Sequence, residues 1–212
     1  MDSKIITIAQ QKGGSGKTTL AANLAVYYSN NRRKVAVLDT DPQGSLGNWY
    51  IKRQEKFEGK DNQIGFRTAS AWGARYEARE LLKNHEIVII DTPPKMGVDG
   101  KPAIETADLI LIPITPSLVD LWAVEPTISM AKQDNKPFIL VLNRASMRTL
   151  LTHKIIREIS ELGGITAKTN LCNRIIFAET MGEGFGVIEK KPKSPASLEI
   201  ISLSKEILRQ LK

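Results

Sequence analysis

Six short apolar runs, set apart by longer segments of mixed polarity, constrain this chain more than any other feature. They are Ile5-Ile6-Thr7-Ile8, Val35-Ala36-Val37-Leu38, Ile64-Gly65-Phe66-Arg67, Ile87-Val88-Ile89-Ile90, Leu109-Ile110-Leu111-Ile112 and Phe138-Ile139-Leu140-Val141-Leu142. Several are apolar at every position, the pattern of strands covered on both faces. Between them, helices are expected at about 17–30, 73–84, 118–133 and 148–162. A last helix, with one broad apolar face, is expected from Ser197 to Lys212. Such alternation predicts an α/β fold, doubly wound, with a mostly parallel sheet and helices on both faces. The loop-like stretches 92–97, 182–186 and 190–195 are too short for interdomain linkers, so one domain over 1–212 is expected. In such sheets ligands bind beyond the carboxyl ends of the strands, so the chemistry is to be sought there.

Composition removes several classes. The single cysteine, Cys172, excludes an intrachain disulfide framework and a four-thiolate metal site. His85 and His153 are far apart and offer no zinc-ligand spacing. No run of 18 apolar residues exists, and Met1-Asp2-Ser3-Lys4 leads straight into the first apolar run, so neither a membrane span nor a secretory signal is expected and the predicted location is cytoplasmic. The net charge of +7 is unevenly placed: residues 1–134 hold 17 Lys+Arg against 16 Asp+Glu, and residues 135–212 hold 13 against 7. That asymmetry fits a surface facing a polyanion, and equally an ordinary solvated basic surface.

The segment after the first run is Gln10-Gln11-Lys12-Gly13-Gly14-Ser15-Gly16-Lys17-Thr18-Thr19. A glycine-rich turn between a buried strand and a helix leaves backbone N–H groups free to cradle phosphate oxygens. Lys17 would reach the β- and γ-phosphates, and the Thr18 hydroxyl would ligate Mg²⁺. The ordinary phosphate-loop pattern has a glycine five residues before Gly16, where this chain has Gln11, and a second lysine, Lys12, heads the motif. After the second run stands Asp39-Thr40-Asp41-Pro42-Gln43-Gly44-Ser45 with Trp49, and after the fourth Asp91-Thr92-Pro93-Pro94. Thr115-Pro116-Ser117 and Leu142-Asn143-Arg144 follow the fifth and sixth.

This loop, with the other motifs in order at the strand ends, resembles the ParA/MinD family of ATPases with a deviant Walker A loop, in a small form. The resemblance covers nearly the whole chain. It implies ATP and Mg²⁺ as cofactors and weak ATP hydrolysis by a homodimer that ATP assembles. It also implies that Lys12 reaches the phosphates bound by the partner subunit, with Lys17 acting in cis, and that Asp41 orients the attacking water. Gly13, Gly14, Ser15, Gly16, Lys17, Thr18 and Thr19 would hold the phosphates, with Asn143 and Arg144 in the adenine-recognition loop. Thr18, Asp41 and Asp91 would serve the metal. Phosphoryl transfer asks the protein mainly to position and to neutralise, and these residue types suit that. Asp39 reads equally as a turn carboxylate or a catalytic one, and Asn143 has an alternative reading as a turn former.

Partition members of the family bind DNA without sequence preference as ATP dimers, which would place the protein on the nucleoid. A stimulating partner, ParB-like or a cargo adaptor, is implied as well. Lys190, Lys191 and Lys193 form the best local cluster for DNA contact. The alternative is a MinD-like, membrane-associated positioning ATPase. The terminal helix has Leu198, Ile200, Ile201, Leu203, Ile207, Leu208 and Leu211 but no aromatic, and carries Glu199 and Glu206, so it reads as core packing, with no membrane partner expected. One cysteine is too few for an iron–sulfur reductase of the nitrogenase iron-protein type. The last tyrosine, Tyr76, leaves no tyrosine-rich tail of a related kinase. The chain enters its first strand at once, so no N-terminal helix-turn-helix is expected. Residues 50–85 carry no assigned role and offer a place for partner contact.

Overall fold

The computed structural model describes residues 3–57, 63–94 and 100–211. The loop expected over 92–97 and the unassigned segment 50–85 therefore lie partly outside the described residues, at 95–97 and 58–62.

All six apolar runs are strands: β1 (Lys4–Ile8), β2 (Val35–Asp39), β3 (Ile64–Thr68), β4 (Ile87–Asp91), β5 (Leu109–Ile114) and β6 (Phe138–Leu142). A two-residue strand, β7 (Ile165–Thr166), completes a sheet ordered β3-β2-β4-β1-β5-β6-β7. Every pairing is parallel, so the sheet is wholly and not merely mostly parallel. The helices are α1 (Lys17–Asn30), α2 (Ser45–Phe57), α3 (Ala74–Leu82), α4 (Lys101–Thr106), α5 (Leu118–Trp122), α6 (Glu125–Gln133), α7 (Leu150–Glu161), α8 (Ile175–Gly182), α9 (Val187–Lys190) and α10 (Pro195–Gln210).

Side chains of a strand alternate between faces, and this alternation divides the core. Ile6, Ile8, Val35, Val37, Ile87, Ile89, Leu109 and Leu111 face a layer made by α1, α2 and the helices from α8 onward. Their neighbours Ile5, Ala36, Leu38, Val88 and Ile90, with Ile110, Ile112, Leu140 and Leu142, face α3 to α7. Burial on both sides is why these strands read as unbroken apolar runs. Helix α10 buries Ile200, Leu203 and Ile207 in the first layer. Among the described residues no helix is long and apolar enough to cross a membrane.

The single helix expected over 118–133 is two. Ser117 caps α5 by accepting from the Asp120 backbone N–H at 3.3 Å. Pro126, in the first turn of α6, cannot donate a helical hydrogen bond, so the chain restarts there. Parallel register brings the carboxyl ends of three strands level: Ile8 of β1 pairs with Asp91 of β4, and Asp91 with Asp39 of β2. The glycine loop and both acidic strand ends are thereby set side by side.

Helix α2 is fastened to the far end of the chain. The buried Arg53 guanidinium donates to both carboxylate oxygens of Glu189 at 2.9 and 2.8 Å, and to the Gly184 carbonyl at 3.2 Å. The Trp49 indole N–H donates to the Phe185 carbonyl at 3.2 Å. A buried, fully engaged pair of this kind fixes geometry, because losing either partner strands a charge away from water.

Candidate functional site

The loop between β1 and α1 is shaped by Gly16, whose φ of 90° favours glycine. A side chain there would also collide with the Asn143 amide. That amide donates to the Ser15 carbonyl at 2.8 Å, and its oxygen accepts from the Arg144 backbone N–H at 2.9 Å. Asn143 thus ties the end of β6 to the glycine loop with one donor and one lone pair. It keeps one of each for a ligand.

Lys17 is nearly buried, and its ammonium donates to the Gln10 carbonyl at 3.0 Å. Burial lowers its pKa, while the Asp91 and Asp41 carboxylates act in the opposite direction. Thr18 donates from Oγ1 to Asp91 Oδ2 at 2.6 Å, and Asp91 Oδ1 is buried without a hydrogen-bond partner. The Ser15 hydroxyl is a second buried group in that condition. Orphaned oxygens at a strand end beside a phosphate cradle fit a hard cation, which prefers oxygen donors. Among the described residues no cluster of three or more His, Cys, Asp or Glu could cage a metal. Mg²⁺ commonly takes one or two protein oxygens and fills the rest with water and phosphate.

Burial pushes the Asp91 pKa up to about 7, against the smaller opposing effect of the Thr18 hydrogen bond. An unfolded aspartate titrates near ~3.9. The protonated carboxyl therefore stabilises the nucleotide-free, metal-free fold fully below about pH 4, and that contribution is lost as pH rises through about 7. Thermal unfolding with chelator present should show wild type losing roughly 5–10 °C relative to Asp91→Asn between pH 4.5 and 7.5. Parallel curves for the two proteins would sink this account.

The two acids after β2 are differently placed. Asp39 is 2% exposed, and its oxygens accept from the backbone N–H groups of Asp41 at 3.0 Å and Gly47 at 2.9 Å. Burial raises its pKa despite these bonds. Asp41 is half-buried, accepts from the Gln43 N–H at 3.0 Å, and lines two cavities. One of these, of about 650 Å³, is also lined by Gly13, Gly14, Lys17 and Thr18. A neighbouring cavity of about 350 Å³ is lined by Gly16, Asn143, Arg144, Cys172 and Asn173. Arg144 borders both, where the space beside the glycine loop meets the space beside Asn143.

Lys12 does not line the phosphate-side cavity. Its ammonium is ion-paired with Asp120 on α5, whose carboxylate is 4% exposed against 39% for the lysine. Sequence reasoning gave no sign of Asp120 as this partner, because the contact depends on where α5 docks. The proposed DNA cluster is divided. Lys190 is paired with Glu183 at 2.6 Å and lies over the Phe185 ring, whereas Lys191 and Lys193 are exposed and enter no ion pair among the described residues. Arg144, Arg148 and Arg157 share that condition, while Arg174 is bound to Glu199 at 2.7 Å.

A parallel sheet with a glycine loop between its first strand and helix, and acids at the adjoining strand ends, defines a P-loop nucleoside triphosphatase fold. The chain belongs to the CobQ/CobB/MinD/ParA nucleotide binding domain family, whose profile matches residues 6–184. It is 30% identical over 191 residues to the maintenance of carboxysome distribution protein A of Halothiobacillus neapolitanus, covering 87% of this chain and 86% of that one. Among solved structures, apo McdA from Cyanothece superposes with a TM-score of 0.81 at 17% identity, over 97% of this chain and 99% of that one. The cell division protein MinD from Aquifex aeolicus gives 0.81 at 18% identity, over 98% and 97%. At these identities the two superpositions speak for the fold.

Proposed function

We propose that this chain is a Mg²⁺-dependent ATPase that works as a dimerising positioning switch, with residues 1–212 acting as one nucleotide-binding unit. ATP assembles two copies, the dimer binds DNA without sequence preference, and slow hydrolysis, hastened by a cargo-bound partner, releases it. The observation that carries this reading is the placement of the two loop lysines. Lys17 lines the phosphate-side cavity, and Lys12 is aimed away from it towards α5. A lysine that does not serve its own cavity can serve a partner's by exchanging its Asp120 contact for a phosphate.

In this reading the backbone from Gly13 to Thr19 cradles the phosphates, with Lys17 neutralising charge in cis. Thr18, Asp91 and Asp41 hold Mg²⁺, which when bound supplies neutralisation of the phosphate oxygens. Asn143 and Arg144 border the base, and Asp41 orients the attacking water. Lys191, Lys193, Arg148 and Arg157, exposed and in no ion pair among the described residues, are the cations from which a DNA face is built. Two copies locked together double that footprint, so nucleotide state becomes DNA affinity.

The deciding experiment is binding to non-specific duplex DNA with ATP, with ADP and without nucleotide, over a salt series. ATP-only binding that falls by roughly 0.9 log units per decade of salt for each phosphate neutralised is expected. No binding in any state, with binding to anionic vesicles instead, would replace this reading by the MinD-like one.

A further inference from the structure

The phosphate-side cavity has a wall that the glycine loop does not supply. Helix α2 carries Ser45, Asn48, Trp49 and Lys52 at helical spacings of three, four and seven, which puts them on one stripe. That stripe lines the same cavity of about 650 Å³ as Gly13, Gly14, Lys17 and Thr18. Counting charged side chains, the cavity presents Lys17, Lys52 and Arg144 against the single carboxylate of Asp41. A concave space so lined suits a polyanion. Arg144 also borders the cavity beside Asn143, whereas Lys52 lines only the phosphate side, the side on which Asp41 stands.

Helix α2 is held while the lysine is not. The Arg53–Glu189 pair and the Trp49–Phe185 hydrogen bond fix the helix backbone against the chain's last third. The Lys52 ammonium itself rests on Glu55 at 2.9 Å, with both side chains more than half exposed. Exposed pairs of this kind contribute little and exchange readily for a better partner. A flexible ammonium on a rigid helix can follow a phosphate without moving the fold.

We propose that Lys52 is a further phosphate-binding residue, supplied in cis, which leaves Glu55 for the terminal phosphate of a nucleoside triphosphate. The inference rests on the nucleotide reading above and assigns part of the site's preference for triphosphate over diphosphate to α2.

The test is titration of the full chain, in Mg²⁺, with a fluorescent non-hydrolysable ATP analogue and with the matching ADP, using wild type, Lys52→Ala, Lys52→Arg and Glu55→Ala. Lys52→Ala should weaken the triphosphate about tenfold, the loss that one charge-assisted hydrogen bond predicts at a solvated site. The diphosphate should change by less than about twofold. Lys52→Arg should recover most of the loss, and Glu55→Ala should weaken neither ligand. Equal weakening of both nucleotides, or of neither, overturns the proposal. Wild type that binds neither nucleotide would instead overturn the reading of the whole site, and this inference with it.

Discussion

Replacing Lys12 by alanine should abolish ATP-driven dimerisation and reduce ATP turnover by at least about a hundredfold, the cost of removing one preorganised donor to a developing charge. Nucleotide binding should persist within a few fold, because the phosphate-side cavity is lined by Lys17 and not by Lys12. The substitution also has a structural side. Asp120 is 4% exposed and would lose its cation, which destabilises the fold by less than the ~3–5 kcal/mol of a fully buried pair, since Lys12 is 39% exposed. Lys12→Ala combined with Asp120→Asn removes that complication, since a neutral amide needs no counter-charge. If the double variant folds with near wild-type stability but stays monomeric with ATP by light scattering, the lysine itself is responsible. Asp120→Asn alone should still dimerise, because it only frees Lys12. A Lys12→Ala protein that dimerises and turns over normally would remove the in-trans role and leave a structural ion pair between the loop and α5.

What was legible in the sequence had local causes. Five of the six long strands lie where an apolar run covered on both faces leaves few polar residues to blur the pattern, whereas β3, at the sheet edge, ends in exposed Arg67 and Thr68. The glycine loop and Asp91 were legible for a related reason: each follows a run, and parallel register sets Asp91 level with Ile8 and with Asp39, two residues before Asp41. Strand β7 has two residues after Gly163 and Gly164, too few for any periodicity. Helix α2 went unseen because it buries only Leu46, Trp49 and Arg53, so its apolar face is thin. Pro126, in the first turn of α6, is the local cause of the division within 118–133.

Contacts that depend on how distant elements dock were not legible. The Lys12–Asp120 pair joins the loop after β1 to the helix after the neighbouring β5, and the Arg53–Glu189 pair joins α2 to α9. The pairing of Lys190 with Glu183 follows from the turn between α8 and α9 and withdraws one lysine from a cluster that reads as three in the sequence. The division of labour between Asp39 and Asp41 likewise needed the backbone geometry of the loop.

That division leads to the second large effect. Asp41→Ala should lower turnover by about a hundredfold or more, the usual contribution of a positioned acid–base group, while ATP still binds and still dimerises the chain. Two carboxylates compete for this role, and their surroundings separate them. Asp39 accepts from the Asp41 and Gly47 backbone N–H groups and is 2% exposed, so it braces the loop and is the less accessible of the two to a water. Asp41 sits half-buried on that loop, with one oxygen on the Gln43 N–H and the phosphate-side cavity in reach. The two variants should therefore fail differently. Asp39→Ala should lower thermal stability, because two backbone donors lose their acceptor. Asp41→Ala should leave stability near wild type and accumulate an ATP dimer that stays on DNA. The measurement is turnover beside the lifetime of the DNA complex after ATP is diluted away. Unchanged turnover in Asp41→Ala would take the water-orienting role from this residue. A stable, inactive Asp39→Ala with an active Asp41→Ala would move that role to Asp39.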